Sequence, residues 1–181
     1  MNAKKLIALV LSGVALVFLS SALRAAPTGA VSAKLTLEFK GKTFPVSAAQ
    51  VTILDRAIDL GVVDFKAKQG AEQKRNKERA YHSYRYTYLV REIQNSRRVG
   101  VRQLRSGIIT KRTDNTGEVL IRYLEPGDYF IGAYCKSDSY SKMGEKAVVW
   151  FIPFSVTAGR VEKVDLDNKN AFELYDPELY P

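Results

Sequence analysis

The residues best suited to chemistry lie between Lys66 and Arg112, where fourteen lysines and arginines meet only Glu72, Glu78 and Glu92, a net charge of +11. Tyr81, Tyr84, Tyr86 and Tyr88 are interleaved with these cations. Such a face could grip a phosphate backbone and stack bases. It could equally hold the phosphates of lipid head groups, lipopolysaccharide or a cell-wall polymer in a salt-sensitive way. The candidate polyanion contacts are Lys74, Arg75, Arg79, Arg85, Arg97 and Arg98. A long helix with one solvated basic face and one tyrosine face against a sheet would need no ligand at all.

Other reactive residue types are sparse. His82 is the one histidine and Cys135 the one cysteine, so no second imidazole or thiol is there to share a metal, and no intramolecular disulfide can form. Cys135 shares strand parity with Tyr129, Ile131 and Ala133, which makes it a small core residue rather than a nucleophile. Asp165-Leu166-Asp167-Asn168-Lys169-Asn170 resembles the start of a calcium loop, but Lys169 and Asn170 stand where that loop needs a ligand and a glycine. A strand end with a polar turn is the better reading. The chain carries no glycine-rich phosphate loop, catalytic-triad order or zinc spacing, so neither a cofactor nor an enzymatic activity is expected.

The amino terminus says where this chemistry would operate. Lys4 and Lys5 precede Leu6 to Leu23, eighteen residues without a charge, followed by small residues around Ala22 to Ala26. This is the pattern of an export signal over residues 1–25, cut after Ala25 or Ala22, because Pro27 opposes a cut after Ala26. An uncleaved anchor over residues 6–23 is the alternative, and by the positive-inside rule it leaves the rest of the chain on the same exported side. A periplasmic or extracellular location follows, with an envelope protein, a polysaccharide, an anionic polymer or a membrane surface as partner. Nucleic acid is disfavoured by the compartment.

The elements that must position these residues come next. The chain has 181 residues, 46% hydrophobic and 26% charged, a composition that excludes collagenous, disulfide-scaffold and disordered classes. Residues 26–181 suffice for one domain with its own core. Outside the basic segment the exported chain is acidic, with eleven basic residues against sixteen acidic ones. Leu35, Leu37 and Phe39, then Val51 and Ile53, then Val62, Val63 and Phe65 alternate as two or three strands. Residues 67–98 lose β-branched residues and read as a basic helical insertion opening after Gly70. In it Ala80, Tyr81, Tyr84 and Tyr88 form a stripe that could dock on a sheet. A strand over 84–90 is the competing reading. Five short strands follow at Ile108–Thr110, Val119–Leu124, Tyr129–Cys135, Val148–Val156 and Val161–Leu166. Turns at Asp114–Gly117, Pro126-Gly127, Gly144 and Ala158-Gly159 separate them, and Pro153 marks its strand as an edge or bulge. The spacing predicts a mainly β, antiparallel sandwich.

Thr113-Asp114-Asn115-Thr116-Gly117-Glu118-Val119-Leu120-Ile121, Leu124-Glu125-Pro126-Gly127-Asp128-Tyr129-Phe130-Ile131-Gly132-Ala133, and Val156-Thr157-Ala158-Gly159 through Val164-Asp165-Leu166 resemble the carboxypeptidase-regulatory-like domains and their Cna-B relatives. The resemblance covers roughly residues 34–66 and 107–168. It implies a seven-stranded, prealbumin-like (Ig-like) sandwich and a non-catalytic role as spacer, stalk, adhesion module or binding unit. The hydrolases of the wider family use several histidines, against the one present here. Many Cna-B domains form a Lys–Asn isopeptide bond, for which Lys34 or Lys40 with Asn168 or Asn170 are the candidates. Ala133 occupies the place of the acid that assists that bond, so the bond is not expected.

Overall fold

The computed structural model describes residues 27–39, 41–100, 110–136 and 147–175. The expected signal over residues 1–25, the turn at Gly144, Lys40, and residues 108 and 109 lie outside the described residues.

Two sheets face each other, and the class is mainly β as expected. In the first, β1 (Gly29–Phe39) is central, with β5 (Glu118–Leu124) and then β2 (Lys42–Pro45) along one edge and β8 (Val161–Leu166) along the other. The second has the order β4 (Thr110–Arg112), β3 (Gln50–Leu54), β6 (Gly127–Lys136), β7 (Ala147–Val156) and β9 (Glu173–Tyr175), antiparallel throughout. Between β3 and β4 the chain forms two helices, α1 (Leu60–Ala71) and α2 (Lys77–Gly100).

Period-two patterning builds the interior. Val31, Leu35 and Leu37 of β1, Val119 and Ile121 of β5 and Leu166 of β8 meet Val51, Ile53, Tyr129, Ile131, Ala133, Val148 and Trp150 of the second sheet. Tyr129, Ile131 and Ala133 form the inward row that their parity predicts, and the Tyr129 hydroxyl donates to the carbonyl of Glu125 at 2.9 Å. Ile131→Ala is expected to cost about 3 kcal/mol, because it empties a fully buried site, whereas exposed Arg75→Ala should stay within about 0.5 kcal/mol. Chemical denaturation checks both. Equal losses would contradict the face assignment.

The second sheet is covered on both sides, which is why Ala147 to Trp150 are all buried. Val148 and Trp150 face the first sheet, while Val149 joins Val63, Leu89 and Ile93 in a second apolar cluster under the helices. Gly132 permits this contact: a Cβ there would stand 3.0 Å from Leu54 Cδ1 and 3.1 Å from Ile93 Cδ1. The Asp114–Gly117 turn is built as its residues suggest. Asp114 Oδ1 accepts from Thr116 Oγ1, Thr116 N and Glu118 N, and these bonds hold its carboxyl below the usual range. Gly117 adopts φ +78° with the Leu35 carbonyl pressed where a Cβ would be.

The elements depart from the sequence reading in four respects. Val62 to Phe65 are helical, not a strand. Asp59 caps Val62 N at 3.1 Å, and Val63, Ala67 and Ala71 recur every four residues as a buried stripe. Gly70 is therefore not a boundary but a packing position, its missing Cβ leaving room for the Tyr84 ring. The insertion is helical, as its residues suggest, and forms a hairpin of two helices; Asn76 Oδ1 caps the second by accepting from Arg79 N at 2.9 Å, and residues 84–90 are helical, not a strand. The Ala80, Tyr81, Tyr84 and Tyr88 stripe turns toward α1: Tyr84 lies over Gly70 and Tyr81 bonds Asp64, so Leu89 and Ile93 make the sheet contact instead. Finally, the described strands number nine rather than seven, and one pair, β1 with β8, is parallel. The Ala158-Gly159 reversal carries the chain across to the other sheet, pinned by Gly159 N to Thr28 O and Ala30 N to Arg160 O. Pro153 lies where β6 alone pairs with β7 among the described strands, the edge position expected of it.

Candidate functional site

The basic segment presents two different environments, a buried clamp and an exposed tip. The clamp forms because His82 and Arg85 stand three residues apart on α2 and so share a face. Both reach Glu173 of β9, His82 Nδ1 at 2.8 Å from Oε1 and Arg85 Nη1 at 2.7 Å from Oε2. Arg85 Nε also donates to Asp64 Oδ1 of α1 at 2.7 Å, and its guanidinium lies 4.3 Å above the Phe172 ring. Glu173 is buried, with 4% of its side chain exposed. Burial alone would lower the Arg85 pKa, but the hydrogen bonds to Asp64 and Glu173 outweigh it and hold the guanidinium above its ordinary value. Burial raises the Tyr81 phenol, Arg85 opposes this, and the bonded Asp64 carboxylate reinforces it. The Arg85 guanidinium, held between Asp64 of α1 and Glu173 of β9, thus ties both helices to the edge of the second sheet.

The six candidate contacts do not form one surface. Lys74 and Arg75 occupy the turn between the helices, Arg79 the first turn of α2, and all three are exposed. Arg79 Nε donates to Tyr175 Oη at 3.2 Å. Arg85 is consumed by Asp64 and Glu173 and is not available to a polyanion in this structure. The backbones of Arg97 and Arg98 lie at the far end of α2, about 27 Å along the axis from Arg79 at 1.5 Å per residue. Lys74, Arg75 and Arg79 remain as a cluster. Beside them a notch of about 280 Å³ is lined by Lys68, Ala71, Glu72, Lys77, Glu78 and Tyr81.

Glu173, Asp64 and Trp150 were not legible as structural anchors. Trp150 Nε1 donates to the Asp167 carbonyl at 2.8 Å, fixing the turn after β8. That turn is self-satisfied: Asp167 Oδ1 accepts from Lys169 N and Asn170 N, and Asn170 bonds Asp165 O and Asp167 N. Asn168 donates to and accepts from the Glu38 backbone at 3.0 and 2.7 Å, standing in for a peptide unit that prolongs β8 along β1. Lys34 pairs with Glu118 at 3.1 Å on the surface. Both asparagine carboxamides and Lys34 therefore have other partners.

Cys135 packs against the main core, and burial pushes its thiol up to about 12. We expect no alkylation by iodoacetamide at pH 8 until the protein is unfolded. The sign for stability follows from the same shift. The unfolded thiol ionises near 9.0 and the folded one near 12, so this contribution is full below pH 9 and is lost as pH rises between the two values. A fast-reacting native thiol, followed by mass, would contradict the placement.

Fold and site together define a two-sheet β-sandwich carrying a clamped helical hairpin with a cationic tip. No protein-family model matches the chain, and no curated protein sequence matches it. Among solved structures it is similar to a Pseudomonas aeruginosa protein provisionally assigned as carbohydrate-binding, at 16% identity and TM-score 0.46, covering 82% of this chain and 94% of that one. It is also similar to the minor pilin GBS52 of Streptococcus agalactiae, at 10% identity and TM-score 0.41, covering 78% of this chain and 44% of the pilin. The pilus backbone protein RrgB of Streptococcus pneumoniae gives 12% identity and TM-score 0.36, covering 78% of this chain and 40% of that one. The chain spans less than half the length of either pilin, and the functional reading rests on its own residues.

Proposed function

We propose that the chain is an exported, non-catalytic binding or structural module of the bacterial envelope. The observation that supports this most is how the buried polar side chains are used. Thr52 bonds Thr110, Thr113 bonds Val46 O and Ala49 N, and Glu173 bonds His82 and Arg85, so each is committed to holding elements together. Exported chains without disulfides must be held by packing alone, and the continuous core through both sheets meets that need. The test is fractionation of cells expressing the full chain, followed by intact mass. A product starting at Leu23 or Ala26 in the exported fraction is expected. An uncut chain in the membrane fraction would replace cleavage by the anchor over residues 6–23, and an intact chain in the cytosol would overturn the reading.

The exposure of Lys74, Arg75 and Arg79 at the hairpin tip favours a second reading, in which the tip contacts a polyanion such as lipid head groups, lipopolysaccharide or a cell-wall polymer. Retention on heparin that falls steeply with salt and is lost in the Lys74→Glu/Arg75→Glu variant supports it. Unchanged retention in that variant removes it.

A further inference from the structure

We propose that the outer face of α1, with the hairpin tip, is a docking surface for an anionic phospholipid bilayer. The inference deepens the envelope reading above and rests on it. The helix buries Val63, Ala67 and Ala71 on one side. On the opposite side, Val62 and Phe65 stand 41% and 65% exposed, three residues apart and therefore neighbours on the same surface. Together they make a small apolar patch on the exposed face of the helix, with the ring at its centre.

The surroundings of the ring select the cover. Lys66 and Lys68 lie on either flank of Phe65, one residue and three residues on, and Lys74, Arg75 and Lys77 follow at the tip, all exposed. Over residues 60–79 six cations face Asp64, Glu72 and Glu78, and Asp64 is already paired with Arg85. Lys66 also meets Glu92 at 3.6 Å, an exposed contact that water and salt weaken. An apolar pair flanked by Lys66 and Lys68, with further cations at the hairpin tip, on a short helix packed against its own domain, suits the interface of an anionic bilayer. The ring enters the acyl boundary while the lysine stems extend to the phosphates. A linear polyanion would reward the cations but has no apolar layer for Val62 and Phe65. The clamp at Glu173 keeps α1 in place, so the surface is held ready rather than folded on contact.

Sedimentation of the purified exported chain with vesicles tests this, using phosphatidylglycerol–phosphatidylcholine mixtures, phosphatidylcholine alone and, in parallel, a heparin column. Phe65→Ser serves as the apolar variant, since the side chain is exposed and the fold should keep its melting temperature. Lys74→Glu/Arg75→Glu serves as the charge variant. We expect binding to the anionic vesicles, at least tenfold weaker binding to phosphatidylcholine alone, and a loss of about tenfold or more in each variant. Heparin retention should fall in the charge variant only. Unchanged vesicle binding by Phe65→Ser would make the tip a plain polyanion site and overturn the proposal. Equal binding to neutral vesicles or no binding at all would also overturn it. Such a failure with the chain still recovered in the exported fraction would leave the envelope reading standing, whereas a cytosolic chain would remove that reading by itself.

Discussion

Trp150→Ala is expected to cost about 5 kcal/mol, the upper end for removing a fully buried aromatic residue. Two losses combine. The ring fills the space between the sheets from the middle of β7, where it belongs to the same cluster as Leu35, Ile53 and Ile131. Its indole N–H also satisfies the Asp167 carbonyl at 2.8 Å, and alanine leaves that acceptor without its partner. A loss of this size approaches the whole stability of many domains, so the variant would sit near the edge of folding. Trp150→Phe keeps most of the volume and isolates the lost hydrogen bond, with an expected cost of about 2 kcal/mol. As Trp150 is the one tryptophan, the measurement is urea unfolding followed by dichroism rather than by fluorescence. A loss below about 1 kcal/mol in Trp150→Ala would show that the ring is not inside.

Arg85→Leu is expected to cost about 3–5 kcal/mol, although a basic residue in a basic segment would ordinarily be dispensable. The reason lies in what remains: Glu173, with 4% of its side chain exposed, is left buried with His82 as its one remaining partner of the two. Replacing both residues, Arg85→Leu/Glu173→Leu, removes the stranded acid, and the double variant should be more stable than the sum of the two single losses implies. Thermal unfolding of the four proteins gives the coupling. Additive losses would mean that the clamp holds nothing. The contrast with Arg75 is the useful one, since both arginines belong to the same charged run and only packing separates their roles.

Much of the sandwich was legible because its signals are local. The Asp114–Gly117 turn depends on one carboxylate and one glycine, and the strands over 118–124, 127–136 and 161–166 follow from alternation between punctuated turns. The start of the hairpin was misread because Val62, Val63 and Phe65 satisfy a period of two over four residues. The helical period appears only when Val63 is followed to Ala67 and Ala71. The helix over 84–90 was the favoured reading, yet its docking face was misjudged, since Tyr84 and Tyr88 stack on one another beside α1 while the smaller pair Leu89 and Ile93 meets the sheet. The parallel pairing of β1 with β8 joins residues more than a hundred positions apart, and no spacing encodes it. Of the six candidate contacts, the charge pattern singles out all alike. Separating Arg85 from Lys74 and Arg75 needs the distant Glu173, a lone acid on a three-residue strand with no local mark.

The claim on which the rest depends is that the basic segment is a hairpin fastened to the outer face of the second sheet. Nuclear Overhauser contacts in the purified exported chain test it most directly. The Ile93 δ-methyl should show a cross-peak to the Gly132 α-protons, with amide exchange at Leu89 and Ile93 as slow as in β6. No such cross-peak, with α2 amides exchanging like those of a free peptide, would contradict it.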